Sequence, residues 1–206
     1  MCGINRPSHY IRVSSGMKAD IKIWLSFLEN FNGTCSFGKN IWLSNSQINL
    51  FTDSAGNPDL GCGVFFAGHW TYYQWPDHWH KSDIMADITF LELVPIVLSI
   101  FLFKQDLSNK QILFHTDNKA LVCILNKKSS KPRRVMGLIR PLVLYTMLYN
   151  MQCKAIHIEG RVNCIADALS RKQWQRFSSL VREADTEMTP VPHEFLQFIL
   201  DVKLVV

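Results

Sequence analysis

The sequence lacks the features that mark secreted and membrane-spanning proteins. Its six cysteines form no C-x-x-C pair and no regular spacing, which argues against a disulfide framework and favours reduced thiols. Residues 1–18 lack the apolar core of a signal peptide. The longest apolar run, Ile88 to Phe103, contains Glu92 and Pro95 and falls short of the roughly 20 residues of a membrane span. We therefore expect an intracellular protein, in cytoplasm or nucleus, that is not secreted and has no membrane partner.

Composition and charge are typical of a globular domain with short flanking segments. The chain has 206 residues, of which 48% are hydrophobic and 19% charged, so it can bury a sizeable core without a metal or disulfide to hold it. The formal net charge of +5 is a weak preference for polyanionic partners. It does not by itself indicate nucleic-acid binding.

Hydrophobic patterning divides the chain into three parts. Residues 1–46 are predicted to be an N-terminal connector with one helix, 47–172 the main domain, and 173–206 a C-terminal extension or linker. The boundary before the main domain falls in the loop-like stretch from Gly33 to Ser46, and the pattern weakens again after Trp174.

Within the main domain the pattern predicts three strands, a helix, a strand, two helices, a strand and a final helix. That order predicts an α/β fold with a mixed sheet covered by helices. The predicted strands are Ile48–Thr52, Cys62–Ala67, Trp70–Trp75, Gln111–His115 and Cys153–Ile158. The predicted helices are Thr89–Lys104, Asn118–Asn126, Val135–Asn150 and Val162–Lys172.

Four carboxylates occur in apolar surroundings, where charge is unexpected. Asp53 and Asp117 each follow an apolar strand, Glu92 is the only charged residue between Ile88 and Phe103, and Asp167 lies in an apolar helical turn. Burying one unpaired carboxylate costs several kcal/mol. A shared divalent cation would compensate all four, and oxygen ligands of this kind suit Mg²⁺.

Each carboxylate also has a simpler explanation. Asp53 and Asp117 could cap turns or helix starts. Thr89 and Glu92 have the spacing of a capping box at a helix start. Asp167 could face solvent. These explanations remain open for each residue alone and are weaker for the four together.

Several strings around these residues resemble the type-I ribonuclease H family of retroelement polyproteins. They are Thr52-Asp53-Ser54-Ala55-Gly56, Glu92-Leu93, His115-Thr116-Asp117-Asn118 and the run from His157 to Arg171. The last string, which contains Ala-Asp-Ala-Leu-Ser-Arg, is the most specific. The resemblance covers about Ile48 to Arg171, and the helix before Gly33 and the Arg140 region are most similar to the DIRS-type subgroup.

The resemblance implies an RNase H-like fold with a five-stranded mixed sheet flanked by α-helices. It implies hydrolysis of the RNA strand of RNA–DNA hybrids with two Mg²⁺ ions, for which Mn²⁺ can substitute. Asp53 would bridge the ions, with Glu92 and Asp117 on one side and Asp167 on the second ion. A reverse transcriptase domain of the same polyprotein is the implied partner, and residues 1–46 would be a remnant of its connection region.

The resemblance also suggests where nucleic acid binds. The small residues Ser54, Ala55 and Gly56 would let the backbone approach an RNA minor groove. The basic stretch from Asn126 to Arg134 would contact phosphates, with a solvated loop as the equally weighted alternative. The full set of predicted contacts is Ser54, Ala55, Gly56, Asn118, Lys127, Lys128, Lys131, Arg133, Arg134 and Arg161.

Two alternatives to an active enzyme or to this family remain open. The chain could be a catalytically inactive, nucleic-acid-binding remnant of a retroelement. It could also be an integrase-like or exonuclease relative, which the closing Ala-Asp-Ala-Leu-Ser-Arg string disfavours. One departure from many family members is the short loop from Glu159 to Asn163, which holds no histidine, while His157 before it is expected to pack.

Overall fold

The computed structural model describes residues 10, 12–31, 33, 41–159 and 163–200. The helices are α1 (Ser15–Glu29), α2 (Asn45–Ile48), α3 (Ile88–Leu102), α4 (Lys119–Lys127), α5 (Arg133–Leu148), α6 (Cys164–Ser170), α7 (Trp174–Leu180) and α8 (His193–Leu200). The strands are β1 (Trp42–Ser44), β2 (Leu50–Ser54), β3 (Gly61–Phe66), β4 (His69–Gln74), β5 (Gln111–Thr116) and β6 (Gln152–His157).

The strands form two separate three-stranded sheets. β2, β3 and β4 make an antiparallel sheet in that order, and β1, β5 and β6 make a parallel sheet with β5 in the centre. The prediction of an RNase H-like fold with one five-stranded mixed sheet is therefore wrong. The protein is a mixed α/β structure with two small sheets.

The short strand β1 belongs to the parallel sheet and occupies part of one edge of β5. Trp42, Leu43 and Ser44 pair in parallel with Gln111 to Leu113, so they occupy the β5 edge opposite β6. β2 lies beside β5 without forming a ladder with it. The sequence pattern had placed residues 42–44 in a loop, because a three-residue strand leaves almost no periodic signal.

The antiparallel sheet is covered on both faces, because successive side chains of β3 pack into different hydrophobic cores. Cys62, Val64 and Phe66 belong to the main core, which contains most of α3, whereas Phe65 packs with α6 and α7 residues such as Leu169 and Phe177. Successive strand residues point to opposite faces, so one strand contributes to both cores. This explains why all six residues of β3 are buried.

Residues 175–199, within the predicted C-terminal extension or linker, pack against the domain at the edge of β4 and at its core. Backbone N–H groups of Asp185 and Thr189 donate to the carbonyls of Gly68 and Trp70, which covers the outer edge of β4. Phe195 of α8 is completely buried. The pairing of an exposed strand edge and the burial of an aromatic side chain both tie this segment to the fold.

None of the helices within the described residues combines the length and the apolar character that crossing a membrane requires. The apolar run that forms α3 is instead the central helix of the core, with Phe90 to Leu98 almost entirely buried apart from Glu92.

Candidate active site

β2 places Asp53, largely buried, where the antiparallel sheet meets α6. Leu50 and Thr52 are buried, and Asp53 pairs with Gly63 of β3. The Oδ2 atom of Asp53 accepts a hydrogen bond of 2.7 Å from the Ser170 hydroxyl at the end of α6. Asp53 therefore lies inside a strand and caps no helix, which removes the simpler explanation for this residue.

Gly63 allows α6 to approach the sheet closely. A Cβ atom at this position would lie 2.4 Å from Cβ of Leu169 and 3.1 Å from the carbonyl oxygen of Ala166. No side chain fits there, so glycine permits a helix-to-sheet contact that brings Asp167 and Ser170 next to β2.

Asn163 fixes the start of α6 against the same strand. Its side-chain amide donates to the carbonyl of Thr52 at 2.8 Å, and Asn163 is buried. Its own carbonyl accepts the N–H of Asp167 in the first turn of the helix. One buried amide thus sets the position of Asp167 relative to Asp53.

Glu92 faces the site from α3. The side chain of Asp87 caps this helix by accepting the N–H of Phe90 at 3.0 Å, so the capping-box explanation for Thr89 and Glu92 is wrong. Glu92 is left to interact with β2, where the Ser54 hydroxyl donates to its Oε1 atom at 3.0 Å. The predicted partner of Ser54 is nucleic acid, whereas in this structure its hydroxyl is hydrogen-bonded to Glu92.

Asp117 follows the last residue of β5 and is exposed. The N-cap of α4 is the next residue, Asn118, whose side chain accepts the N–H of Leu121 at 3.0 Å. The cap explanation for Asp117 is therefore wrong as well. Its carboxylate lies close enough to Asp53 and Glu92 to raise the pKa of both.

Asp167 is engaged by two arginines. Its two carboxylate oxygens accept hydrogen bonds of 2.6 Å from Arg171 Nε and from an Arg176 terminal nitrogen. Burial alone would raise the pKa of Asp167, but these two guanidinium groups outweigh it and hold the pKa below its ordinary value. The side chain is 25% exposed, so simple exposure to solvent does not describe it.

The two central carboxylates have strongly raised pKa values. Burial, followed by repulsion from Asp167 and Asp117, raises the pKa of Asp53 to about 7 against the opposing hydrogen bond from Ser170. Burial and repulsion from Asp53 raise the pKa of Glu92 to about 8. Strands and helices from four parts of the chain thus bring together negative charges that repel one another.

The donor chemistry of this group fits a hard divalent cation. All four groups are carboxylates, and a cation would offset both the burial and the mutual repulsion of Asp53 and Glu92. In the part of the chain that the structure describes, no three His, Cys, Asp or Glu side chains stand together as a finished metal site. Binding an ion would therefore require the side chains to draw closer.

The predicted nucleic-acid residues after β2 differ in their exposure. Ala55 is buried, and its carbonyl accepts the indole N–H of Trp75 at 2.7 Å. Gly56 is exposed beside it. Only Gly56 of this pair offers an open approach to the backbone.

The basic residues around the connection between α4 and α5 also differ in how accessible they are to a ligand. Lys127, Lys131 and Arg133 are exposed. Lys128 is half-buried and donates to the carbonyl of Leu125 at 2.6 Å, and burial lowers its pKa. Arg134 forms an ion pair of 2.7 Å with Asp83.

The remaining predicted positions give two further outcomes. Arg161 lies outside the described residues. His157 is exposed at the end of β6, so the expectation that it packs is wrong. Exposure leaves its imidazole accessible to solvent on the strand that pairs with β5.

Four residues whose side chains bond within the site received no role from the sequence. One of them, Arg171, ends the string that carried the family resemblance. Asn163 and Ser170 both lie in the string that carried the family resemblance, so they could have been assigned positioning roles there. Arg176 lies beyond that string, and nothing in its local sequence indicates a contact with Asp167.

No protein-family model matches the chain, and no curated protein or solved structure matches it either.

Proposed function

We propose that this chain is a divalent-metal-dependent nuclease that hydrolyses the RNA strand of RNA–DNA hybrids. The observation that carries the proposal is the placement of Asp53 and Glu92 together in a buried setting, with Asp117 near both of them and Asp167 near Asp53. Burial and the charges of these neighbours raise the pKa of Asp53 and of Glu92. Buried carboxylates with strongly raised pKa values are typical of functional sites.

The choice of substrate rests on the motif resemblance and not on the sheet architecture. The two small sheets differ from the five-stranded sheet that the resemblance implies. Folds do not determine activities. The donor set and the sequence strings around it favour this substrate. A reverse transcriptase domain of the same polyprotein and a location in cytoplasm or nucleus belong to this proposal.

The residues of the chain have distinct roles in this proposal. Asp53, Glu92, Asp117 and Asp167 would hold Mg²⁺ or Mn²⁺, which when bound supplies an activated water and offsets charge on the phosphate. Ser170 and Ser54 orient the carboxylates of Asp53 and Glu92 through their hydroxyl groups. Gly56 leaves the backbone open beside the site, where the RNA sugar could approach.

A cleavage assay with a matched substitution tests the proposal. A labelled RNA–DNA hybrid is incubated with Mg²⁺ or Mn²⁺ and wild-type protein, Asp117→Asn or Asp106→Asn. Asp117 is exposed, so its substitution should leave the fold intact. Asp106 is the matched control, because it is also exposed but precedes β5, whereas Asp117 follows it. We expect cleavage of the RNA strand alone, lost in Asp117→Asn and kept in Asp106→Asn.

A second candidate function is binding of nucleic acid without turnover. It is favoured by Asp167, both of whose oxygens are occupied by arginines. Thermal unfolding with and without Mg²⁺ or Mn²⁺ separates the two candidates. A stabilisation by the ions that disappears in Asp117→Asn supports the nuclease, whereas folded protein that neither cleaves nor responds to the ions supports the binding protein.

A further inference from the structure

The segment from Arg171 to Arg182 is basic and contains no acidic residue. It includes four cations, Arg171, Lys172, Arg176 and Arg182, and its next acidic neighbour is Glu183. The run begins at the last residue of the string that contains Asp167. Its four cations compare with five in the basic stretch from Asn126 to Arg134. Arg171 and Arg176 share the single charge of Asp167, so the run keeps a surplus of positive charge beside the candidate site. A surplus of this kind favours contacts with phosphates.

The fold connects this segment to the candidate active site. Lys172 has a φ of +55°, and the chain turns there between α6 and α7. α7 therefore returns toward α6, and Arg176 reaches Asp167 at 2.6 Å. The side chains of Arg171 and Arg176 are 52% and 42% exposed, so both lie on the solvent-facing rim of the site.

Trp174 forms an aromatic platform in the same helix. It is 42% exposed. The ring centroids of Trp70 and Tyr72 lie 5.9 Å and 5.5 Å from that of Trp174. Phe177, one turn further along, is buried against Phe65. A large ring that two neighbouring rings hold in place and that is still 42% exposed is suited to stack on a base.

Two surface concavities meet at Trp174. One, of about 450 Å³, is lined by Lys172 to Arg176 and so begins at the guanidinium that contacts Asp167. The other, of about 350 Å³, is lined on one side by Trp174 and Arg182. Asp185 also lines it, but its carboxylate is bound by His69 Nδ1 at 2.6 Å. The surface therefore runs from the carboxylates over Trp174 to an exposed arginine.

We propose that this surface binds a single-stranded extension of the nucleic acid whose hybrid part occupies the carboxylate site. A base would stack on Trp174, and phosphates would contact Arg182. An unpaired strand is required, because bases in a duplex have their faces covered by their neighbours. The inference rests on the proposed function for the hybrid, and it adds a second binding element outside the predicted contacts.

Equilibrium binding tests the proposal without relying on turnover. The full chain is titrated in chelator with a blunt RNA–DNA hybrid and with hybrids that carry a 3′ or a 5′ single-stranded extension. We expect one of the extended hybrids to bind about 5 to 150 times more tightly than the blunt one, as one stacked base would produce. Trp174→Leu should abolish that ratio, and Arg182→Gln should reduce the salt dependence of binding by about one phosphate contact.

Matched controls come from α1, which carries an exposed tryptophan and an exposed lysine away from this surface. Trp24→Leu and Lys22→Gln should leave the ratio unchanged. Circular dichroism checks that each variant is folded, and Arg182→Gln, at an exposed position, keeps the proposal testable if Trp174→Leu does not fold. Equal binding of blunt and extended hybrids, or a ratio that survives in Trp174→Leu, overturns the proposal.

The two proposals fail in different ways. Cleavage of a blunt hybrid with no preference for an extension would keep the nuclease and remove the α7 surface. A preference for the extension without any cleavage would keep the surface and favour the binding protein.

Discussion

Raising the pH should lower the free energy of unfolding in the absence of divalent ions, because Asp53 and Glu92 hold their protons more tightly in the folded chain than in the unfolded one. Their pKa values rise from 3.8 and 4.5 to about 7 and about 8 in the folded chain, chiefly through burial. The unfolded chain releases both protons near the ordinary values. Between the two sets of values only the folded chain is protonated, so the free energy of unfolding falls as the pH rises.

The size of the effect follows from the size of the shift. Each proton held only by the folded state lowers the free energy of unfolding by about 1.4 kcal/mol per pH unit. From about pH 5 to about pH 7 we expect Asp53 to account for roughly 1 to 3 kcal/mol, the lower figure applying where solvent screens the charge. Asp53→Asn retains an oxygen for the Ser170 hydroxyl but cannot titrate, so it should remove this part of the pH dependence.

Urea denaturation followed by tryptophan fluorescence measures the effect. The free energies of unfolding of wild type, Asp53→Asn and Asp106→Asn are determined in chelator at several pH values across this window. The control replaces an exposed aspartate outside the carboxylate group and should keep the slope of the wild type. Parallel slopes for wild type and Asp53→Asn would refute the reasoning, since they would mean that Asp53 is already ionised in the folded protein.

Three further substitutions test how the site and the C-terminal segment are held. Gly63→Ala should destabilise the protein by about 1 to 3 kcal/mol in urea denaturation, because its Cβ would lie 2.4 Å from that of Leu169; an unchanged midpoint would contradict this. Asn163→Ala should cost about 1 to 3 kcal/mol and reduce cleavage, because the carbonyl of Thr52 loses its 2.8 Å donor. Wild-type cleavage rates in this variant would show that α6 is positioned by other contacts. Phe195→Ala should lower stability by about 3 to 5 kcal/mol, because this ring is fully buried, and a loss under 1 kcal/mol, measured by calorimetry, would mean that α8 is dispensable.

Local elements were predictable where a periodic pattern was long enough. The expected helix Thr89–Lys104 corresponds to α3 at Ile88–Leu102, and the expected strand Gln111–His115 corresponds to β5 at Gln111–Thr116. Such elements depend on side chains within a few residues of one another, which the sequence displays directly. The expected strand Cys62–Ala67 likewise corresponds to β3 at Gly61–Phe66.

Sheet assembly was not predictable in this way. The pairing of Trp42 with Gln111 joins residues that are far apart in the chain, and neither carries a mark of its partner. The same holds for the segment near Thr189, whose N–H donates to Trp70 along the edge of β4. Backbone hydrogen bonds are chemically alike at every residue, so the choice of partner depends on packing and not on local sequence.

For the candidate site, the sequence indicates which residues are involved, and the folded structure shows which groups they contact. The sequence alone singled out Asp53, Glu92, Asp117 and Asp167 as candidates, because a charge in an apolar segment is costly and therefore conspicuous. Only the tertiary structure decided their partners, such as the Ser170 hydroxyl on Asp53, which spans 117 positions of the chain. The reason is physical: residue type determines what a group can bond, whereas the raised pKa values depend on distance and burial, which exist only once the chain has folded.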